Sequence, residues 1–171
     1  MGLLLVVALL GAGATECGTF WGMPEDASDQ LNRFIGKFDS AMAQLIRECR
    51  AAMRKRFPTA NELVYDNYNF FVIGYGPTEH PSDCVASLAA NSKGVNLNFL
   101  YGSRLPDPYR ILQGIGGQNR FVRLEGVATL SKPEVRDLLA VAVAQSEQPF
   151  PKSGPGKLII RSVSEKQRPR R

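Results

Sequence analysis

Histidine and cysteine are scarce in this chain, and their scarcity limits the chemistry it can support. The 171 residues include one histidine, His80, and three cysteines, Cys17, Cys49 and Cys84, which are widely spaced and form no CxxC pair. Neither a zinc ribbon nor a thioredoxin-type dithiol is therefore encoded. An odd number of cysteines in a chain with ample apolar residues also argues against a disulfide framework, so we expect reduced thiols and a cytoplasmic location.

Catalytic motifs are also missing from the sequence. There is no GxSxG nucleophile elbow, and any catalytic arrangement with a histidine would have to use His80. Pro81 prevents the helix that would align His80 with Cys84, so residues 79–84 are interpreted as a polar turn, with a Cys84–His80 pair as the alternative. Residues 114–117 are glycine-rich but lead into a predicted strand, whereas phosphate-binding loops lead into a helix. We expect no catalytic residue, no metal site and no cofactor.

Positive charge is concentrated towards the C-terminal end of the chain. The formal net charge is +5, but residues 152–171 carry +6, which leaves −1 for residues 1–151. Residues 164–171 are interpreted as a basic tail with a frayed end at residues 167–171, and this tail follows a single domain of residues 23–163. No RNP motif, helix-turn-helix glycine pattern or zinc finger accompanies this tail, so specific nucleic-acid binding is not expected. Weak, salt-dependent binding of phosphate or nucleic acid by the tail remains an alternative function.

An apolar run from Leu3 to Leu10 opens the chain, and the following residues 12–14 match a signal-peptide cleavage pattern. No lysine or arginine precedes the run, and the segment is roughly 13 residues long, against about 20 for a membrane-spanning helix. Residues 1–22 are therefore interpreted as a leader upstream of a true start at Met23, and no membrane span is expected. The alternative is that residues 1–14 are a true signal peptide and the protein is exported.

Helical periodicity marks two N-terminal segments and one C-terminal segment. Leu31, Phe34, Ile35 and Phe38 recur at helical spacing in the first. Asp39 is placed to cap the second, and Pro58 ends it. The apolar stripe of this second helix consists of Met42, Leu45, Ile46, Cys49, Ala52 and Met53. Residues 131–134, Ser-Lys-Pro-Glu, form a capping-box pattern with Ser131 as N-cap, and they predict the C-terminal helix.

Between these helices the pattern changes to that of strands. Residues 69–76, within the stretch VYDNYNFFVIGYGPTEH, are apolar on both sides and predict a central strand covered on both faces or nearly so. Further strands are predicted at residues 84–90, 95–101, 120–125 and 157–163. The short connections predict antiparallel pairing. The fold class is therefore α+β, an antiparallel β-sheet with N-terminal helices and one C-terminal helix packed on it.

Three segments carry a resemblance to a known family. ELVYDNYNFFVIGYGPTEHPSDC, NLNFLYGSRLPDPYRILQGIGGQNRFVRL and KLIIRSVSEKQRPRR together resemble the YdhG-like domain family, a family of unknown function, over about Asp29 to Arg171. The resemblance implies an antiparallel sheet with helices packed on it. Part of the family is linked to frataxin-like iron delivery, so an intracellular iron chaperone is an alternative function. Iron chaperones of the frataxin type use carboxylates on their first helix, and the equivalent helix of this chain, the second in its sequence, carries the basic segment RECRAAMRKR.

The residues just before the aromatic strand form the candidate binding site. Tyr65, Asn67, Tyr68 and Asn69 place hydrogen-bonding groups beside apolar surface, as small binding sites do. We expect these four residues, together with Arg104, to line a pocket, whereas most aromatics of residues 70–75 belong to the core. The predicted function is a non-enzymatic small binding or chaperone-like module for an unidentified small ligand or protein.

Overall fold

A computed structural model describes residues 26–171, so the predictions made for the leader 1–22 and for the start at Met23 lie outside the described residues. The described region contains three α-helices: α1 (Ala27–Ile35), α2 (Ser40–Arg56) and α3 (Pro133–Ala144). It also contains six strands: β1 (Asn61–Asp66), β2 (Phe71–Gly76), β3 (Ala86–Asn91), β4 (Gly94–Phe99), β5 (Arg120–Leu124) and β6 (Leu158–Val163). The predicted α+β class is confirmed.

The six strands form one open sheet in the order β5-β4-β3-β2-β1-β6. The first four strands follow one another as a meander, because their connections are too short to allow a parallel crossover. Antiparallel pairing is found as predicted for every neighbouring pair apart from β1 and β6, which are parallel. The long connection through α3 brings β6 back to β1 in this parallel orientation.

One face of the sheet carries the helices and the hydrophobic core. Val64, Ile73, Leu88, Leu97 and Val122 are directly paired across five strands and therefore share that face. They belong to the same buried cluster as the apolar residues of α1, α2 and α3. The two periodicities seen in the sequence thus meet in one core, with the alternating strand residues on one side and the helix stripes on the other.

Helices α1 and α2 form where the sequence predicts them. Phe34 of α1 and Phe38 after it pack against Phe71 of β2, with ring centres 6.3 and 6.1 Å apart. The Asp39 side chain accepts a hydrogen bond from the Met42 backbone amide at 2.8 Å, which confirms the predicted cap. Asp39 therefore separates the two helices and fixes where α2 begins.

A buried ion pair joins α2 to the sheet. Arg50 donates two hydrogen bonds to the carboxylate of Glu62 on β1, from Nε at 2.9 Å and from Nη2 at 2.7 Å. Glu62 is only 5% exposed. This bidentate pairing gives both oxygens of the buried carboxylate a hydrogen-bond donor.

The aromatic strand is shorter than predicted at its N-terminal end. It begins at Phe71 rather than at residue 69, because the Asn67 backbone amide bonds to the Phe70 carbonyl oxygen at 3.0 Å and closes a tight turn. Phe71, Ile73 and Tyr75 are fully buried, as expected for core residues. Phe70 is 39% exposed, so two of the three aromatic residues of residues 70–75 lie in the core, in agreement with the prediction that most of them do.

The predicted capping box is absent. Lys132 is the N-cap of α3 and makes no side-chain capping bond, while Ser131 ends a short 3-10 turn, Val127–Ser131. The Ser131 side chain therefore lies one residue too early to cap the helix. Pro133 at the first helical position, which lacks an N–H to satisfy, accounts for the start of the helix without a cap.

Residues 167–171, at the end of the basic segment 164–171, are not frayed, and this prediction was wrong. Arg170 is 4% exposed and its guanidinium forms a salt bridge with the buried Asp66 at 3.1 Å. Gln167 donates to the Asp66 carbonyl oxygen at 2.9 Å, so the segment packs on the end of β1. The error arose because a basic composition was taken to mean a solvated tail.

Within residues 26–171 no helix is long and apolar enough to cross a membrane.

Candidate ligand-binding cleft

A cleft of about 620 Å³ opens at the end of the sheet where β4 finishes and β3 begins. Three segments form its walls: the β2–β3 connection, the residues after β4, and the C-terminal end of α3. The lining residues are Ser82, Asp83, Cys84, Val85, Phe99, Tyr101, Arg104, Leu105, Ala142, Gln145, Ser146 and Glu147. This volume lies within the range of natural small-molecule sites, about 300–1,000 Å³.

The β2–β3 connection contributes a carboxylate to the cleft. Pro81 begins a short 3-10 turn, Pro81–Asp83, because its fixed φ suits the first position of such a turn. The Thr78 hydroxyl donates to Oδ2 of Asp83 at 2.5 Å, and the Ser82 hydroxyl to Oδ1 at 3.3 Å. Hydroxyl groups therefore hold Asp83 in place, and no cation of residues 26–171 pairs with it.

The segment after β4 contributes the cleft's cation. A second 3-10 turn, Gly102–Arg104, carries Arg104, whose guanidinium lies 5.5 Å from the centre of the Tyr101 ring. Gly102 is needed here, because a Cβ at this position would lie 2.6 Å from Cβ of Arg120 and 2.9 Å from its backbone nitrogen. No carboxylate in the described part of the chain forms an ion pair with Arg104. Arg104 can therefore bind an acidic ligand without first breaking an ion pair.

The third wall is the C-terminal end of α3 and the residues that follow it. Gln145 ends the helix, and Ser146 and Glu147 continue along the cleft. The unpaired carbonyl groups of a helix C-terminus carry partial negative charge, which adds to the carboxylate of Glu147. Arg104 therefore lies on a different wall from these negative groups. Phe99 and Val85, which are almost fully buried, supply apolar surface between them.

The cleft contains a thiol, but not an activated one. Burial, and after it the negative charge of Asp83, raises the pKa of Cys84 to about 11. A reactive cysteine needs the opposite, a nearby positive charge that stabilises the thiolate. His80 is exposed, and only its backbone forms hydrogen bonds within residues 26–171: its amide donates to the Thr78 hydroxyl and its carbonyl oxygen accepts from the Asp83 amide, each at 3.1 Å. The geometry therefore gives no support to a Cys84–His80 catalytic pair.

The five residues predicted for the site do not come together. Arg104 lies in the cleft, whereas residues 65–69 lie at the opposite end of the sheet, where β1 turns into β2. Tyr65 is partly buried on β1, and burial raises the pKa of its phenol. Asn67, Tyr68 and Asn69 are exposed in the turn.

The turn residues are in contact with the C-terminal segment rather than with a pocket. The Ser162 hydroxyl donates to Oδ1 of Asn67 at 2.8 Å, and the guanidinium of Arg168 lies 5.5 Å from the ring centre of Tyr68. Arg170 also donates to the Asn67 carbonyl oxygen at 2.6 Å. This end of the sheet is therefore a surface on which the chain's own residues 164–171 lie.

The other lining residues of the cleft were not identified from the sequence as binding residues. They come from segments more than 60 residues apart in the chain, from Ser82 to Glu147, and no motif links them. The only signal was the polar sequence at residues 79–84, which was interpreted as a turn. For metal chemistry, the described residues contain no group of three or more histidine, cysteine, aspartate or glutamate side chains that could hold an ion.

Fold and cleft together define a class: a small α+β domain with an open six-stranded sheet, helices on one face and a ligand-sized cleft at one end. Comparisons with protein-family models, with curated proteins and with solved structures found no match.

Proposed function

We propose that this chain is a non-enzymatic binding module of the YdhG-like kind, and that its ligand is a small molecule with an apolar body and an acidic group. The apolar body would lie against Phe99 and Leu105, and the acidic group would bind Arg104. The observation that carries the proposal is the position of Arg104, which forms no ion pair within residues 26–171 and lines the cleft together with the apolar side chains of Phe99 and Leu105. Charge-assisted hydrogen bonds of this kind contribute about 1.5–3 kcal/mol.

Several features support binding rather than catalysis. The thiol of Cys84 is kept protonated at neutral pH, because its pKa is raised to about 11. Cys49 is completely buried, and burial also raises the pKa of its thiol to about 11. Cys49 and Cys84 are both free thiols, which supports a cytoplasmic location as part of the same proposal.

The test compares acids with uncharged analogues of the same shape. Native mass spectrometry of the full chain, purified without additives, would first identify any retained small molecule. Thermal melting would then be measured with benzoate against benzamide, and with octanoate against octanamide. We expect the acids to raise the melting temperature more than the amides do, because ligands that bind only the folded state stabilise it.

Arg104→Gln removes the charge and keeps a polar, hydrogen-bonding side chain. This variant should bind the acids about 10- to 100-fold more weakly and lose the difference between acid and amide, since one charge-assisted bond is lost. Arg47→Gln is the matched control, because Arg47 is exposed on α2, away from the cleft. The proposal would be contradicted if the acids raised the melting temperature of wild type and of Arg104→Gln equally. It would also be contradicted if native mass spectrometry found no retained ligand and none of the four probe compounds changed the melting temperature.

A further inference from the structure

Residues 164–171 lie along the β1–β2 turn in the manner of a bound peptide. The Ser164 amide donates to the Asp66 carbonyl oxygen and the Arg168 amide to the Tyr68 carbonyl oxygen, each at 2.9 Å. Between them, the Gln167 side chain accepts from Nζ of Lys37 at 2.8 Å. Main-chain bonds together with side-chain anchors are how extended peptides are recognised on protein surfaces.

The anchor of this segment is Arg170. Its Nη2 atom donates to Oδ1 of Asp66 at 3.1 Å and to the carbonyl oxygen of Asn67 at 2.6 Å. Its guanidinium lies 5.8 Å from the centre of the Phe38 ring. We call the surface that receives it the Asp66 groove, formed by Lys37, Phe38, Asp66, Asn67 and Tyr68. A buried carboxylate beside an aromatic ring is a receptor for a guanidinium, and arginine is among the commonest anchors of protein interfaces.

The segment does not satisfy the groove completely. Nε and Nη1 of Arg170 are buried and have no hydrogen-bond partner within residues 26–171. Lys37 also pairs with Asp66, at 2.5 Å, so two cations share one carboxylate. Lys166, Arg168 and Arg171 add further positive charge to the same segment. Unpaired buried donors and like charges weaken the contact, which makes the segment displaceable.

We propose that the Asp66 groove is a docking site for an extended, arginine-bearing segment of a partner protein, and that residues 164–171 occupy it in competition with that partner. The occupant's chemistry follows from the contacts that residues 164–171 make there: an arginine at the position of Arg170 and an amide side chain three residues earlier. The groove lies at the opposite end of the sheet from the cleft. The proposal is therefore independent of any small ligand.

Competition within one chain has a measurable consequence. A tethered segment has an effective concentration on the order of millimolar, so a free peptide must displace it before it can bind. The intact chain should therefore bind a peptide of residues 164–171 weakly. A full-length variant whose own segment cannot dock should bind the same peptide at least about tenfold more tightly.

The experiment uses the full chain with Gln167→Ala, Arg168→Ala and Arg170→Ala, and a fluorescent peptide of sequence SEKQRPRR. Binding is followed by fluorescence anisotropy, and circular dichroism checks that the triple variant is folded. A control variant, Lys55→Ala with Lys152→Ala, loses positive charge away from the groove and should behave like wild type. A second peptide with Arg170→Ala should bind the triple variant at least about tenfold more weakly, because its anchor is missing.

Each outcome is decisive. Tighter binding by the triple variant that depends on the arginine of the peptide would support the groove as an arginine-peptide site. A folded triple variant that binds both peptides equally, or neither up to the millimolar range, would overturn the proposal. If sedimentation shows that the wild-type chain is a dimer that dissociates on these substitutions, the segment is exchanged between two copies, and the assignment to a different partner is overturned.

Discussion

At the scale of single residues, Cys84 is the group on which an enzymatic function would depend. Because burial and Asp83 raise the pKa of its thiol to about 11, only about one molecule in a thousand carries the thiolate near pH 8. We predict that Cys84 reacts with iodoacetamide about a hundredfold more slowly than a free thiol whose pKa is near 8.5. The rate should keep rising with pH up to about 11, because the thiolate is the reacting form.

Peptide mapping by mass spectrometry would follow Cys84 separately from Cys17 and Cys49, with free cysteine in the same tube as the reference. Cys49 is fully buried and should label more slowly still in the folded chain. Labelling of Cys84 faster than free cysteine would mean that a positive group activates it. Such a result would support the alternative in which Cys84 and His80 form a catalytic pair.

At the scale of secondary-structure elements, Asp39 decides where α2 begins. Its carboxylate accepts the Met42 amide, one of the donors that the first turn of a helix leaves without a partner. We predict that Asp39→Ala lowers the free energy of unfolding by about 1 kcal/mol. Asp39→Asn keeps a side-chain oxygen that can accept the capping bond, so it should lower the free energy of unfolding by only a fraction of that value. Urea unfolding followed by circular dichroism would measure both, and equal losses would show that the cap does not matter.

The strands and helices could be predicted to the extent that local pattern determines them. Leu97 and Phe99 alternate with Asn96 and Asn98, and β4 is the strand in which that alternation is clearest. Boundaries were less accurate where a turn bond overrides the pattern, as between Asn67 and Phe70. The N-cap of α3 was predicted at Ser131 but is Lys132, because a capping-box sequence does not by itself determine the backbone geometry of the residue that would form the cap.

At the scale of the whole molecule, what could not be predicted depends on contacts distant in the chain. Asp66 and Arg170 are 104 residues apart, and nothing in either local sequence indicates that they pair. The cleft is likewise assembled from three separate segments. Arg104 was predicted as a site residue and lies in the cleft, whereas Tyr65, Asn67, Tyr68 and Asn69 were grouped with it because their composition suits a binding site. The composition of a segment indicates what it can bind, but only the fold shows which segments lie on the same surface.

Asp66 links the junction of α1 and α2, the end of β1 and residues 164–171, because it pairs with both Lys37 and Arg170. We predict that Asp66→Asn lowers the free energy of unfolding by about 3 kcal/mol or more, since it leaves a buried cation without a counter-charge. Arg170→Ala should cost less, about 1–2 kcal/mol, because Lys37 still neutralises the carboxylate.

The comparison is made by urea unfolding of the full chain and its two variants under the same conditions. Glu79→Gln is the control. It breaks an ion pair between Glu79 and Lys157 whose side chains are 49% and 71% exposed, and it should not change the midpoint measurably. Equal losses for Asp66→Asn and Arg170→Ala would mean that the pair contributes only through packing. A neutral Asp66→Asn would show that residues 164–171 are held by their main-chain contacts and not by charge.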